Sequence, residues 1–147
     1  MPSGKVHAFI AIACCGIVFI VVTAVKGISF WGLIFVLIFA EPFSRLPDEV
    51  LDKDTGLAHR NWASHSALLP GLFSAAVIVL TQYWMKLPLS YATYSNALIQ
   101  LAMYWCIAHG SHIFADAFTK LNIGRWFHAI NGIGLFVLAT YLGWLII

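Results

Sequence analysis

Several histidine and carboxylate side chains of this chain stand at spacings that suit metal ligation. His112 and Asp116 are four residues apart, so on a helix they share a face. His109 stands three residues before His112 and extends that face. His59 and His65 frame the run His59-Arg60-Asn61-Trp62-Ala63-Ser64-His65-Ser66. Their spacing fits no single helix face, but in a loop or at a helix start both rings can turn to one point. Asp48 follows Leu46-Pro47, and Glu49, Asp52 and Asp54 come after it. His7 lies near the start of the chain. Imidazole nitrogens mixed with carboxylate oxygens suit zinc, manganese or iron. Such a site, with one or two ions, activates water and clamps the oxygens of a phosphate ester. Arg60 adds a guanidinium that can hold a phosphate oxygen pair.

The elements that must position these donors are apolar. The chain has 147 residues, of which 61% are hydrophobic and only 10% charged. Its mean hydropathy is +0.88. A soluble domain carries about 25% charged residues, so this composition points to an integral membrane protein. A formal net charge of +2 gives no footprint for nucleic-acid binding. Cys14, Cys15 and Cys106 lie inside apolar runs, which reads as packing rather than as a disulfide framework. Ala11-Ile12-Ala13-Cys14 has the look of a lipoprotein cleavage box, but the surrounding segment is long and lacks a basic leader.

Five apolar segments can be drawn: Val6 to Val25, Ile28 to Ala40, Ala67 to Met85, Ala97 to Phe118 and Trp126 to Ile147. The second is short for a span of about 20 residues. It is either re-entrant or continues towards Leu46 through a kink at Pro42. Pro70 falls in the first turn of the third, where proline is tolerated. Ser95 or Asn96 is the expected N-cap of the fourth. Gly132 and Gly134 in the fifth read as packing. The polar stretch 43–66 is the one long connection.

Tracing the five segments back and forth brings all six histidines, His128 included, and all six acids to one side. Six of the eight basic residues fall there too, with only Lys26 and Lys86 opposite. The positive-inside rule makes that side cytoplasmic, with the N-terminus inside. Trp62 and Trp126 on one side, and Tyr83, Trp84, Tyr91, Tyr94 and Trp144 on the other, suit interfacial belts as well as plain packing.

Blander readings stand beside each donor. The loop acids can simply be solvated, and Glu41 and Asp54 are read that way. A lone histidine at the position of His7 is more often an interfacial or core residue than a ligand. His59 and His65 alone can be ordinary loop histidines. His109, His112 and Asp116 rise above this because three donors share one stripe, and an ionisable residue at membrane depth is costly without a role. No serine–histidine–aspartate order and no phosphate-cradling glycine loop stands out. No titratable series reaches the far side, which argues against a transport path through a monomer, and the accompanying acids fit bis-histidine haem ligation poorly.

Met1-Pro2-Ser3-Gly4-Lys5-Val6-His7, Leu46-Pro47-Asp48, the run from His59 to Ser66, and Ser111-His112-Ile113-Phe114-Ala115-Asp116 occur in a recognisable order. Together they resemble the YdjM-like family of membrane-bound metal-dependent hydrolases and a related family of metal-binding membrane proteins. Both families are distantly similar to zinc-dependent phospholipase C and the single-strand-specific zinc nucleases. The resemblance covers roughly residues 1–120. It implies metal ligands at His7, Asp48, His59, His65, His112 and Asp116. The family's leucine-proline-aspartate motif usually has a second aspartate two residues on, and here that position is Val50. Glu49 or Asp52 could take its place.

The expectation is therefore an all-α polytopic membrane bundle of about five transmembrane helices, one domain over residues 1–147, in the bacterial inner membrane. Its function would be that of a metal-dependent hydrolase acting on a phosphoester, a lipid among the candidates, at the cytoplasmic face. The cofactor expected is zinc, with manganese or iron as alternatives. Glu49 or Asp52 would serve as general base and Arg60 would neutralise the phosphate. The alternative is a non-catalytic metal-binding membrane protein with a structural, sensor or assembly role. Membrane lipids are the expected partners, nucleic acid is not, and a homo-oligomer stays open.

Overall fold

A computed structural model describes residues 4–27, 29–46, 66–84, 92–119 and 124–146. Among them every element is helical and no strand occurs. Helix α1 runs Gly4–Lys26. A rod follows in three parts: α2 Phe30–Ile34, a π-helical turn Phe35–Phe39, and α3 Ala40–Arg45. Then come α4 Leu68–Trp84, α5 Ala92–Thr119 and α6 Gly124–Ile146. The five apolar segments thus become five helical rods.

Local chemistry sets several boundaries. Gly27 closes α1 with φ +85°, and its N–H donates to Thr23 O at 2.8 Å. A left-handed residue here is a usual helix stop, and glycine adopts it without strain. Ser29 caps α2 by accepting from Gly32 N at 3.1 Å. Its hydroxyl also donates to Gln100 Oε1 at 2.7 Å, tying the rod to α5. The expected cap at Ser95 or Asn96 is corrected. Helix α5 begins at Ala92, so both lie inside it. The apolar run marks the part that packs, and a helix need not stop where its hydrophobicity does.

The second segment does not end at Pro42. It continues to Arg45, and the π turn explains how. Gly32, Val36, Ala40 and Ser44 are all buried and recur every four residues. In an α-helix of 3.6 residues per turn, twelve residues at this spacing drift by about 120°. A π turn holds roughly 4.4 residues per turn, and five such residues cut the drift to about 30°. The buried positions therefore stay on one face, towards α1 and α5. A wider turn also relaxes the backbone just before Pro42, whose ring cannot fit a regular helix interior.

Helix α5 is the centre of the bundle, packed by α6, α1, α4 and the rod. Glycines bring α6 close. A Cβ at Gly132 would stand 2.8 Å from Phe114 Cβ and 3.1 Å from Gly110 O. Gly134 meets nothing within 4 Å, so the packing expectation holds for Gly132 and not for Gly134. On the other flank, rings run Phe39, Phe43, Trp105, Phe73 at successive centroid separations of 5.6, 5.3 and 5.1 Å. They link the rod to α5 and α5 to α4. The cysteines pack, as expected: Cys15 and Cys106 are buried and Cys14 partly so, all three as free thiols.

Among the described residues, two helices are long and apolar enough to cross a membrane. They are α1 over Lys5–Lys26, with hydropathy 2.9, and α6 over Trp126–Leu145, with hydropathy 1.3. The apolar stretch of α4, Leu68–Thr81, is shorter. The length and composition of the other rods do not by themselves mark them as spans.

Candidate metal centre

The candidate site is built where the start of α1 meets the end of α5. His7 follows within the first turn of α1, and His7, Ala11 and Cys15 form a buried stripe. That stripe lies against α5, where Cys15 Sγ approaches Tyr104 O at 3.8 Å. On α5 the run from Cys106 to Ile113 is buried throughout, so His112 faces protein rather than surroundings. One turn on, Asp116 lies in the last turn before Thr119.

His7, His112 and Asp116 are 2%, 1% and 0% exposed. Asp116 approaches both rings at their Nε2 atoms. Its Oδ1 is 3.6 Å from His7 Nε2, and its Oδ2 is 3.9 Å from His112 Nε2. The ring centroids are 4.3 Å apart and tilted by 36°. One ligand atom from each residue lies within 4.8 Å of the others. For donors about 2.05 Å from a tetrahedral ion, neighbouring donors stand about 3.3 Å apart. The His7–Asp116 separation exceeds this by about 0.3 Å, and the His112–Asp116 separation, to the other carboxylate oxygen, by about 0.6 Å. Two imidazoles and one carboxylate are also a donor set common to catalytic zinc and non-haem iron. The residues fit a divalent cation.

Electrostatics favour the same conclusion. A fully buried carboxylate is stabilised by nearby positive charge, which a cation held with the two imidazoles would supply. Asp116 also lies at the C-terminal end of α5, where the helix dipole favours a cation and disfavours an anion. A divalent ion held by one carboxylate leaves a net charge of about +1 in a buried place, so a second acid would complete the site. Glu41 is not that acid, because its carboxylate pairs with Arg45 at 2.6 Å, half-exposed on α3. Glu41 is thus held by an ion pair, not merely solvated. Asp48, Glu49, Asp52 and Asp54 lie outside the described residues, as do His59, Arg60 and His65.

Of the six ligands expected, three are described, and the structure brings those three together. His7 joins His112 and Asp116, although its position alone reads as an interfacial or core histidine. His109 and His128 are buried at 0% and 3%, but the ligand cluster comprises the other three residues. Asn131 has a role that sequence reasoning missed. Its Oδ1 accepts from Ala67 N at 2.9 Å, and its Nδ2 donates to Phe127 O at 2.8 Å. Ser66, buried beside it, accepts from Leu68 N at 3.2 Å. The start of α4 is thereby fixed to α6, immediately after His65. The available signal was a lone amide in an otherwise apolar helix, three residues after His128.

No protein-family model, curated protein or solved structure gives a significant match to this chain.

Proposed function

We propose that this chain is a polytopic membrane protein whose His7, His112 and Asp116 hold a divalent cation, and that the centre belongs to a hydrolase of phosphoesters. The observation that carries the metal reading is the convergence of three fully buried donors from two helices far apart in sequence. The reaction class rests on the motif resemblance to YdjM-like hydrolases. When bound, the cation would polarise a phosphoryl oxygen as a Lewis acid. The two imidazoles and the carboxylate would fix its position from rigid helices. Asp48, His59 and His65 are proposed to complete the ligands, with zinc the first candidate and manganese or iron the others. Glu49 or Asp52 would take a proton from water, and Arg60 would bind the phosphate.

The membrane reading is supported by where the apolar surface lies. Only 22% of the α1 window and 28% of the α6 window are buried, so most of both helices presents hydrocarbon outwards. Phe9, Ile20, Leu37, Ile130 and Val137 are 59% or more exposed. The core helix of a soluble protein hides such side chains. Trp126 and Trp144, 61% and 68% exposed near opposite ends of α6, suit two interfaces. In this reading all five rods span. Helix α5 can be the least apolar because its neighbours cover its polar residues. The excess of basic residues supports a cytoplasmic position for the metal centre.

The burial of the triad at 0–2% and the presence of Val50 favour a second reading, in which the cation is structural. Elemental analysis of detergent-purified protein beside His112→Ala tests the metal. About one or more equivalents in the parent and a large loss in the variant are expected, whereas equal metal in both removes His112 from the site. Hydrolysis of a chromogenic phosphodiester by the parent, lost in Asp116→Asn, separates the two readings. Bound metal with no turnover would leave the structural one.

A further inference from the structure

An apolar groove of about 530 Å³ lies between α1 and α6, floored by Met103 and Ile107 of α5. It runs from Cys14 to Val22 along α1 and from Phe136 to Trp144 along α6. Eight residues at 1.5 Å each give a length of about 12 Å. Its walls are the two helices whose length and hydropathy suit a membrane span. Its rims are open, with Ile17 and Val21 62% and 57% exposed and Trp144 68% exposed.

The size and chemistry select an occupant. The volume spread over that length gives a mean cross-section of about 44 Å². At about 12 Å the groove would meet only about a third of a 23-residue helix such as α1 or α6, so it is a poor seat for a helix of a second copy. The hydroxyl in the lining asks for nothing polar either, because Thr140 Oγ1 already donates to Phe136 O at 2.9 Å. A headgroup would leave its own polar atoms unpaired there, at a cost. An empty groove would forfeit dispersion contacts along its walls. A flexible hydrocarbon tail meets all three conditions.

We infer that this groove is a binding site for an acyl tail of a membrane phospholipid. The inference rests on the membrane reading above and is independent of whether the metal centre is catalytic. On α1 the groove residues Cys14, Val18 and Val21 follow His7 at seven, eleven and fourteen residues, so they continue the face that carries it. The upper end of the groove is about 10 Å along α1 from His7. A tail seated here would therefore lie deeper in the bilayer than the metal centre.

The test uses the full chain in mild detergent and native mass spectrometry, after reconstitution with phosphatidylethanolamine and phosphatidylglycerol. About one phospholipid per chain is expected to survive delipidation. Gly143→Leu should lower that retention at least fivefold, because Gly143 lines the groove and a Cβ there first meets only Met103 Sδ at 3.4 Å. Gly134→Leu adds the same side chain on the same helix, into open space, and should retain the lipid. A phosphatidylethanolamine with a mid-chain diazirine, used on the unmodified protein, should label Cys14, Val18, Val22, Phe136 and Gly143 above Phe9 and Ile20. Equal retention in both leucine variants, uniform labelling, or cross-links between two copies through the groove would overturn the inference. Release of the protein from membranes by alkaline carbonate would instead overturn the membrane reading itself.

Discussion

His7 is the donor whose removal tests the centre most sharply, because it is the only described ligand from α1. The substitution His7→Ala leaves His112 and Asp116 on α5 and takes away the group that joins the two helices. A structural zinc site contributes about 10–16 kcal/mol of apparent binding free energy over four ligands, or about 2.5–4 kcal/mol per ligand. Losing one ligand should therefore weaken the metal by roughly 100- to 1,000-fold. With free metal at 100 times the parent dissociation constant, binding stabilises the parent by about 2.7 kcal/mol. The same metal concentration would give the variant about 0.4 kcal/mol or less. For a chain of this size the parent should melt about 5–10 °C higher with metal than with chelator, and the variant by no more than about 1 °C. The assay is thermal unfolding of the detergent-solubilised protein, each form compared with itself in zinc and in chelator. That comparison cancels the packing lost with the imidazole. A parent without any metal-dependent shift in zinc, manganese or iron would refute the site. An unchanged shift in His7→Ala would refute the placement of His7 in it.

How far the sequence discloses this arrangement differs from residue to residue. His112 and Asp116 are legible because a four-residue spacing on a helix fixes their relation before any tertiary structure forms. His7 is not, because its partners lie on α5, and only packing of the Ala11–Cys15 stripe brings it there. The motif resemblance pointed to His7 where local pattern could not. The rod shows the same division. Its hydrophobicity ends near Ala40, yet the buried positions Gly32, Val36, Ala40 and Ser44 continue at a spacing of four. That spacing is wrong for a long α-helix and right for one containing a π turn, so the signal was present at an unfamiliar period. The polarity of α5 has its reason in tertiary packing. Gln100, His109, Ser111, His112 and Asp116 are buried where α1, α4, α6 and the rod pack around it. A hydropathy window sees the residues of a helix but not the neighbours that shield them.

Two further substitutions test how the bundle holds the centre. Gly132→Ala should destabilise the protein by about 1–3 kcal/mol, since the new methyl would meet Phe114 Cβ at 2.8 Å and Gly110 O at 3.1 Å. Gly134→Ala, with nothing within 4 Å, should be neutral or stabilise by up to about 1 kcal/mol through helix propensity, and chemical denaturation of the pair reads the difference directly. Asn131→Ala removes the acceptor that Ala67 N–H uses at the start of α4. A backbone donor left unsatisfied costs about 1–3 kcal/mol, and the loss here should be local, because Ala67 lies ahead of the first turn of α4. Hydrogen exchange should speed up at residues 67–69 and stay unchanged in the middle of α5. If His65 is a ligand, freeing the residues beside it should also weaken metal binding, although Asn131 itself contacts no metal. Unchanged exchange at Ala67 would show that this hydrogen bond does not hold α4 in place.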